Sequence, residues 1–191
     1  MALEMNARPP RRVWRGLLIG IAVILATPAV LVGVFAVVPV PVTPLMIIRS
    51  ADGAGIEKDW VPLDQIAPRL AQTVIAAEDN LYCVHSGFDV EALKQAWARN
   101  DSGGTLRGAS TISQQTAKNL FLWPGRTFVR KGLEAWLTVY IEALWSKRRI
   151  MEVYLNIAEW GDGVYGAEAA ARHHFHKPAA DLTAREAAFL A

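Results

Sequence analysis

Residues 16–38, GLLIGIAVILATPAVLVGVFAVV, form a run of 23 residues without a single charge. This run limits the possible folds more than any other feature, because a helix needs about 20 apolar residues to cross the hydrocarbon core of a bilayer. Pro28 lies inside it, and proline is tolerated in membrane helices more readily than in soluble ones. Arg8, Arg11, Arg12 and Arg15 precede the run, against Glu4 alone. Positive flanks stay in the cytoplasm, so the N-terminus is expected inside and the bulk of the chain outside. A cleaved signal peptide competes with this reading, but its apolar region usually spans about 7–15 residues. Here the run is longer and leads into Pro39-Val-Pro-Val-Thr-Pro44, which favours a retained single-pass anchor.

The anchor inflates the hydrophobic content of 52%. Beyond position 15 basic and acidic residues nearly balance, which argues against a general polyanion binder and against nucleic acid as a partner. Cys83 is the only cysteine, so no internal disulfide forms, while an oxidising compartment remains permitted.

The proline-rich stretch reads as a stiff, extended exit from the membrane. Leu45–Ile48 suits a strand or membrane-proximal packing, with a place close to lipid as the alternative. From Pro62 onward the pattern is mostly helical. Helices are expected over Asp64–Ala77, with Pro68 starting or breaking the segment, and over Asp89–Ala98, capped by Asp89. A glycine- and serine-rich loop covers Asn100–Gly108, and Ser110 can cap a helix running to Asn119. Thr127–Trp145 carries an apolar stripe of Val129, Leu133, Trp136, Tyr140 and Leu144. Ile150–Ile157, Gly166–His174 and Thr183–Ala191 continue helical, with a glycine loop at 161–166. No stretch alternates well enough for a central sheet, so the fold class is mainly α.

Three segments can carry chemistry. Glu78 closes the apolar stretch Thr73–Ala77, and an acid against an apolar wall can hold a raised pKa suited to general acid or base work. A plain helix end is the competing reading. In Gly108–Asn119, Gln114 and Lys118 share a helix face, and a helix start at Ser110 and Thr111 offers backbone N–H groups to an anion. A capped amphipathic helix explains the same residues. Arg126, Arg130, Lys131 and Glu134 lie three or four apart, which fits a solvated ion-pair face or a basic cradle for phosphates. An acid inside such a cradle makes sense if it holds a cation or a hydrogen-bonding group. The loop Trp160–Gly166 lets backbone approach a ligand.

Read in order, these segments resemble the peptidoglycan glycosyltransferases of glycosyltransferase family 51, and most closely its monofunctional, membrane-anchored members. The motifs are AAEDNLYCVHSGFD (76–89), GASTISQQTAKN (108–119), Arg130-Lys131-x-x-Glu134, Lys147–Asn156 and GDGVYGAEAAARHHFHK (161–177). Tyr82 stands where phenylalanine is usual, Ala109 and His176 where glycine is, and Arg149 where bifunctional members tend to have glutamate. The likeness runs from about Arg49 to the last residue. The family domain normally continues further, so a C-terminal truncation is expected. No Ser-x-x-Lys nucleophile domain is present, so no transpeptidase activity is implied.

The resemblance implies a lysozyme-like helical domain with a membrane-facing flank. It divides the chain into a cytoplasmic tail (1–15), a transmembrane anchor (16–38), a linker (39–48) and a glycosyltransferase domain (49–191) on the outer face of the inner membrane. It implies polymerisation of lipid II into glycan strands by inverting β-1,4 transfer. Glu78 is then the base on the acceptor hydroxyl and Glu134 the second acid, near the pyrophosphate, through a divalent metal such as magnesium or manganese. No organic cofactor is implied. Ser110 and Gln114 line the donor site, and Lys118, Arg126, Arg130 and Lys131 hold the pyrophosphate. Asp79 and His85 fit a loop-fixing role as well as direct chemistry. Expected partners are lipid II, the growing strand, the membrane and other cell-wall synthesis proteins. A peptidoglycan-cleaving muramidase or lytic transglycosylase and an inactive membrane-anchored scaffold are the alternatives.

Overall fold

The computed structural model describes residues 11–94, 110–125 and 127–191. The tail before Arg11, the end of the helix expected over Asp89–Ala98, the loop Asn100–Gly108, the start of the 108–119 motif and Arg126 lie outside the described residues.

Helix α1 spans Arg11–Phe35, with Pro28 inside it. Its 25 residues extend about 37 Å, enough for a hydrocarbon core of about 30 Å. The apolar window has a mean hydropathy of 2.7 and is almost wholly exposed. Helix formation stops at Phe35, three residues before the uncharged run ends, because Pro39 and Pro41 carry no N–H to continue the ladder.

Leu45–Ile48 is helical, not a strand. Thr43 accepts the Met46 N–H at 3.3 Å and Pro44 occupies the first helical position, so capping chemistry starts α2, Pro44–Ala51. Val40, Thr43 and Met46 are buried, so the exit segment packs on the domain instead of standing free. Pro68 starts helix α3, Pro68–Glu78, after a short 3-10 turn at Leu63–Gln65. Helix α4 begins at residue 90, with Asp89 Oδ1 accepting the Ala92 N–H at 2.8 Å as its cap.

Helices α5 (Ile112–Phe121), α6 (Phe128–Leu144) and α7 (Lys147–Ile157) form the centre. α5 packs against both of the others, and Ile112, Ile141, Ile150, Val153, Leu155 and Ile157 are fully buried. The apolar stripe read on α6 is not its core face. Arg130, Glu134, Leu137, Thr138 and Ile141 face inward, while Val129 and Leu144 are exposed. The stripe's half-buried middle lies toward α1, where Tyr140 Oη donates to the Leu25 carbonyl at 3.3 Å.

Beside the helices sits a small sheet that the sequence pattern did not reveal. β1 (Glu57–Lys58) pairs in parallel with β3 (Val164–Tyr165), which pairs antiparallel with β2 (Glu159–Gly161). Its strands are two or three residues long, too short to show alternation. Gly163 has φ +73° between β2 and β3, and a Cβ there would lie 2.0 Å from the Ala54 carbonyl oxygen. Helices α8 (Ala167–Phe175) and α9 (Ala184–Leu190) follow, and α9 packs on α3. His176 ends α8 in the left-handed region, φ 57°, which is why glycine is at home in that motif position.

Candidate active site

Glu78 is the last residue of α3 and is exposed. The expected apolar wall is absent among the described residues. Leu70 and Val74 are buried on the same helix row, but the core ends one turn before Glu78, and a polar cleft opens there. The cleft holds about 170 Å³ and is lined by Asp79, Asn80, Asp89, Ser110 and Thr111 besides Glu78. Gln115 Nε2 donates to Glu78 Oε2 at 2.7 Å.

Asp79 and His85 build the floor. Asp79 Oδ2 accepts the N–H of Ile112, the first residue of α5, at 2.9 Å, and Oδ1 lies 2.8 Å from His85 Nε2. His85 Nδ1 accepts the Gly87 N–H at 3.1 Å, so Nε2 carries the proton toward Asp79. Thr111 Oγ1 donates to the Gly87 carbonyl at 2.7 Å. The two side chains therefore tie the loop after Glu78 to the start of α5. Tyr82, in the usual phenylalanine position, is buried and donates to the Lys147 carbonyl at 2.7 Å. Burial raises its hydroxyl pKa, with Glu142 adding to the effect.

The start of α5 differs from the sequence reading. Thr111, not Ser110, is the cap. Its hydroxyl accepts the Gln114 N–H at 3.2 Å while Gln114 Oε1 accepts the Thr111 N–H at 3.0 Å. Two free N–H groups of the helix start are thus satisfied internally, by Thr111 and Asp79, and are not open to an anion. Gln114 is buried and occupied by this box. Gln115, which sequence reasoning passed over, is the amide that reaches Glu78. The pattern Thr111-x-x-Gln114 is itself a capping-box signature and marks which glutamine is engaged.

Toward the C-terminal end of α5, Lys118 and Arg130 line a cavity of about 440 Å³ together with Leu45, Asn119, Trp123 and Glu159. Burial lowers the Lys118 pKa, while the charges of Glu134 and Glu78 pull it back up. Arg130 Nη1 donates to Glu134 Oε2 at 2.8 Å, and Lys131 pairs with Glu134 Oε1. Lys131 Nζ also donates to Ser110 Oγ at 2.9 Å, so Ser110 bridges the Glu78 cleft and the basic cluster. Glu134 is only 2% exposed. Arg130 Nε is buried without a partner among the described residues, an unmet donor in the cluster beside the cavity.

Among the described residues, the acid of the cluster is not free to hold a metal. Both oxygens of Glu134 are engaged by cationic side chains, and among the described residues no three His, Cys, Asp or Glu side chains converge.

Residues 46–191 match the family described as transglycosylase. The chain is similar to the biosynthetic peptidoglycan transglycosylase of Caulobacter vibrioides, 56% identical over 182 residues, which is 95% of this chain and 80% of the relative. It is 63% identical over 155 residues to that of Rhodospirillum centenum, covering 81% of this chain and 67% of the relative. To that of Escherichia coli (strain SMS-3-5 / SECEC) it is 55% identical over 168 residues, covering 84% and 69%.

Proposed function

Since the chain belongs to the transglycosylase family, and its relatives are peptidoglycan glycosyltransferases, we propose that it polymerises lipid II into linear glycan strands and releases undecaprenyl pyrophosphate. The observation that carries this reading is the pairing of two different environments along α5. An exposed carboxylate, Glu78, opens on the cleft at its start, and a half-buried lysine and a buried arginine, Lys118 and Arg130, line the cavity toward its end.

Glu78 takes the proton of the acceptor sugar's 4-hydroxyl. That oxygen attacks C1 of the donor sugar, the C1–O bond to pyrophosphate breaks, and the configuration inverts without a covalent sugar–enzyme intermediate. Gln115 supports this role, because a neutral donor on one oxygen orients the carboxylate for the incoming hydroxyl. Negative charge develops on the leaving pyrophosphate. Cations stripped of water stabilise such charge more than solvated ones. Lys118 meets that description through its burial, and Arg130 through its buried Nε, which has no partner among the described residues. Lys131 and Ser110 bring the cluster to the edge of the Glu78 cleft. Glu134 acts by holding Arg130 and Lys131 in place. Arg126, four residues before Arg130 in the sequence, is counted with these cations by that spacing. No step here runs through a metal.

We also read α1 as a retained anchor, with residues 49–191 as the catalytic domain on the outer face. Trp145 Nε1 donates to the Val32 carbonyl at 2.7 Å, and Val32 is fully buried. A segment destined for removal has no need of such a seat. The likeness to the Caulobacter vibrioides relative covers 95% of the chain, which leaves too few residues outside it to exclude α1.

The test is incubation of the full-length chain, and of Glu78→Gln, with labelled lipid II. Polymer from the parent and a loss on the order of 10² or more in the variant are expected, with lipid II binding retained. Near-normal polymer from Glu78→Gln would sink the base assignment. Shortening of preformed strands by the parent would replace the transferase reading with a hydrolase.

A further inference from the structure

The end of α1 is held by a side chain that the chemistry above does not use. Phe35 is the last residue of α1, and its carbonyl would ordinarily accept the N–H of residue 39. Residue 39 is proline and has none. The last turn of α1 also contains no basic residue to balance the helix dipole. Arg149 of α7 fills both gaps. Its Nε and Nη2 donate to the Phe35 carbonyl at 3.0 and 2.8 Å, and Nη2 donates to the Val38 carbonyl at 2.6 Å. The guanidinium lies 5.4 Å from the centre of the Trp60 ring, and the side chain is 14% exposed.

The same guanidinium is tied to the catalytic side. Arg149 Nη1 pairs with Glu152, whose other oxygen accepts the Leu63 N–H at 3.1 Å. Leu63 opens the 3-10 turn that leads into α3, and α3 ends on Glu78. One side chain thus links the last carbonyls of the apolar helix to the segment that carries the candidate base.

We propose that Arg149 is a positioning residue that locks the end of the membrane anchor to the domain and so sets the height and orientation of the Glu78 cleft over the bilayer. The inference rests on the reading of α1 as an anchor and of the substrate as lipid-borne. Such a substrate is fixed in depth by its own lipid, so the cleft must meet it at one level. A domain swinging freely on its exit segment would meet it only part of the time. Lysine cannot replace this arrangement, since only the planar fork reaches two carbonyls and a carboxylate together.

The native Cys83 supplies the probe, because it is exposed, it is the chain's only cysteine and it lies five residues beyond Glu78. A nitroxide is attached to Cys83 in the full-length protein, reconstituted in phosphatidylethanolamine–phosphatidylglycerol vesicles. Its collision rates with oxygen and with a water-soluble nickel complex report its depth. The parent protein is expected to give one defined depth, and Arg149→Gln a shifted or broadened one. Polymerisation of lipid II in the same vesicles should fall roughly tenfold, while turnover of detergent-dispersed lipid II changes by less than about twofold, since only the bilayer fixes the substrate's level. Arg149→Lys should fall between the two, and it decides the matter by the same readings if Arg149→Gln does not fold.

Equal losses in vesicles and detergent would reduce Arg149 to a structural prop and overturn the proposal. So would unchanged Cys83 depth, or a changed depth with full vesicle activity. If the parent makes no polymer at all, the glycan-polymerising reading fails, while the Cys83 depth still decides whether the clamp exists.

Discussion

Glu78 Oε2 accepts a neutral amide donor, Gln115, at 2.7 Å, and a neutral partner directs a carboxylate without binding it as a permanent ion pair. Gln115→Ala should therefore lower kcat on lipid II roughly tenfold or more by loosening the base, with the thermal midpoint unchanged. Gln114→Ala should do the reverse, lowering stability by about 1 kcal/mol through loss of the capping box. Kinetics and thermal denaturation on both variants check the pair, and equal effects from the two would refute the division. Which glutamine does which was half legible. The segment's chemistry was visible in Gln114 and Lys118, four apart, but the roles depend on where the helix starts. Moving the cap by one residue, from Ser110 to Thr111, turns Gln114 inward and leaves Gln115 for Glu78. Lys118 carries a pH prediction. Burial lowers its pKa from 10.5, so it loses its proton at a lower pH in the folded protein than in the unfolded chain. Between those two values the unfolded state binds more protons, so its contribution to stability rises with pH while the cation needed for the leaving group is lost. The alkaline fall of kcat/KM should move to higher pH in Lys118→Arg. An unmoved alkaline limb, in a variant that retains activity, would show that another group sets it.

At the scale of elements, helices were legible and their faces were not. The expected helix at Thr127–Trp145 matches α6, Phe128–Leu144, with Thr127 as its cap. Yet its apolar stripe looks outward and toward α1, while two charged residues, Arg130 and Glu134, lie buried on the inner face. Hydrophobic spacing assumes that water lies opposite the stripe. Here part of that side meets a long apolar helix, and the core side holds a cluster in which Glu134 pairs with both Arg130 and Lys131. The sheet was illegible for a different reason. Seven residues in three strands carry no period, and what marks them is one glycine. A Cβ at Gly163 would sit 2.0 Å from a backbone oxygen, which cannot swing aside as a side chain can. Gly163→Ala should destabilise by about 1–3 kcal/mol, given also its positive φ. Gly132, inside α6, has nothing within 4 Å of a Cβ. Gly132→Ala should stabilise by roughly 0.5–1 kcal/mol through helix propensity. Chemical denaturation of both variants tests the contrast, and a neutral Gly163→Ala would mean that the β2–β3 turn does not hold β1 in register.

For the whole molecule the proposed arrangement in the membrane turns on the unequal ends of α1. Arg11, Arg12 and Arg15 gather at its start, and its far end carries no charge of its own, only the guanidinium that Arg149 brings from the domain. A positive N-terminal flank resists translocation, so under the proposed anchor reading the domain is expected to follow the far end across. This is the side on which a lipid-linked sugar would be polymerised into wall material. Cys83 reports the outcome directly, being exposed and unique. In intact cells a membrane-impermeant maleimide that passes the outer membrane should label the full-length chain, and Cys83→Ser should abolish the label. Labelling that appears only after lysis would place the domain inside and overturn both the orientation and the access to substrate. Exchanging Arg8, Arg11, Arg12 and Arg15 for glutamine removes the charge bias but not the apolar length. Insertion should therefore persist while part of the population inverts, seen as a fraction of Cys83 protected until lysis. If the four exchanges leave labelling complete, the tail charges do not set the orientation, and the control passes to the domain itself.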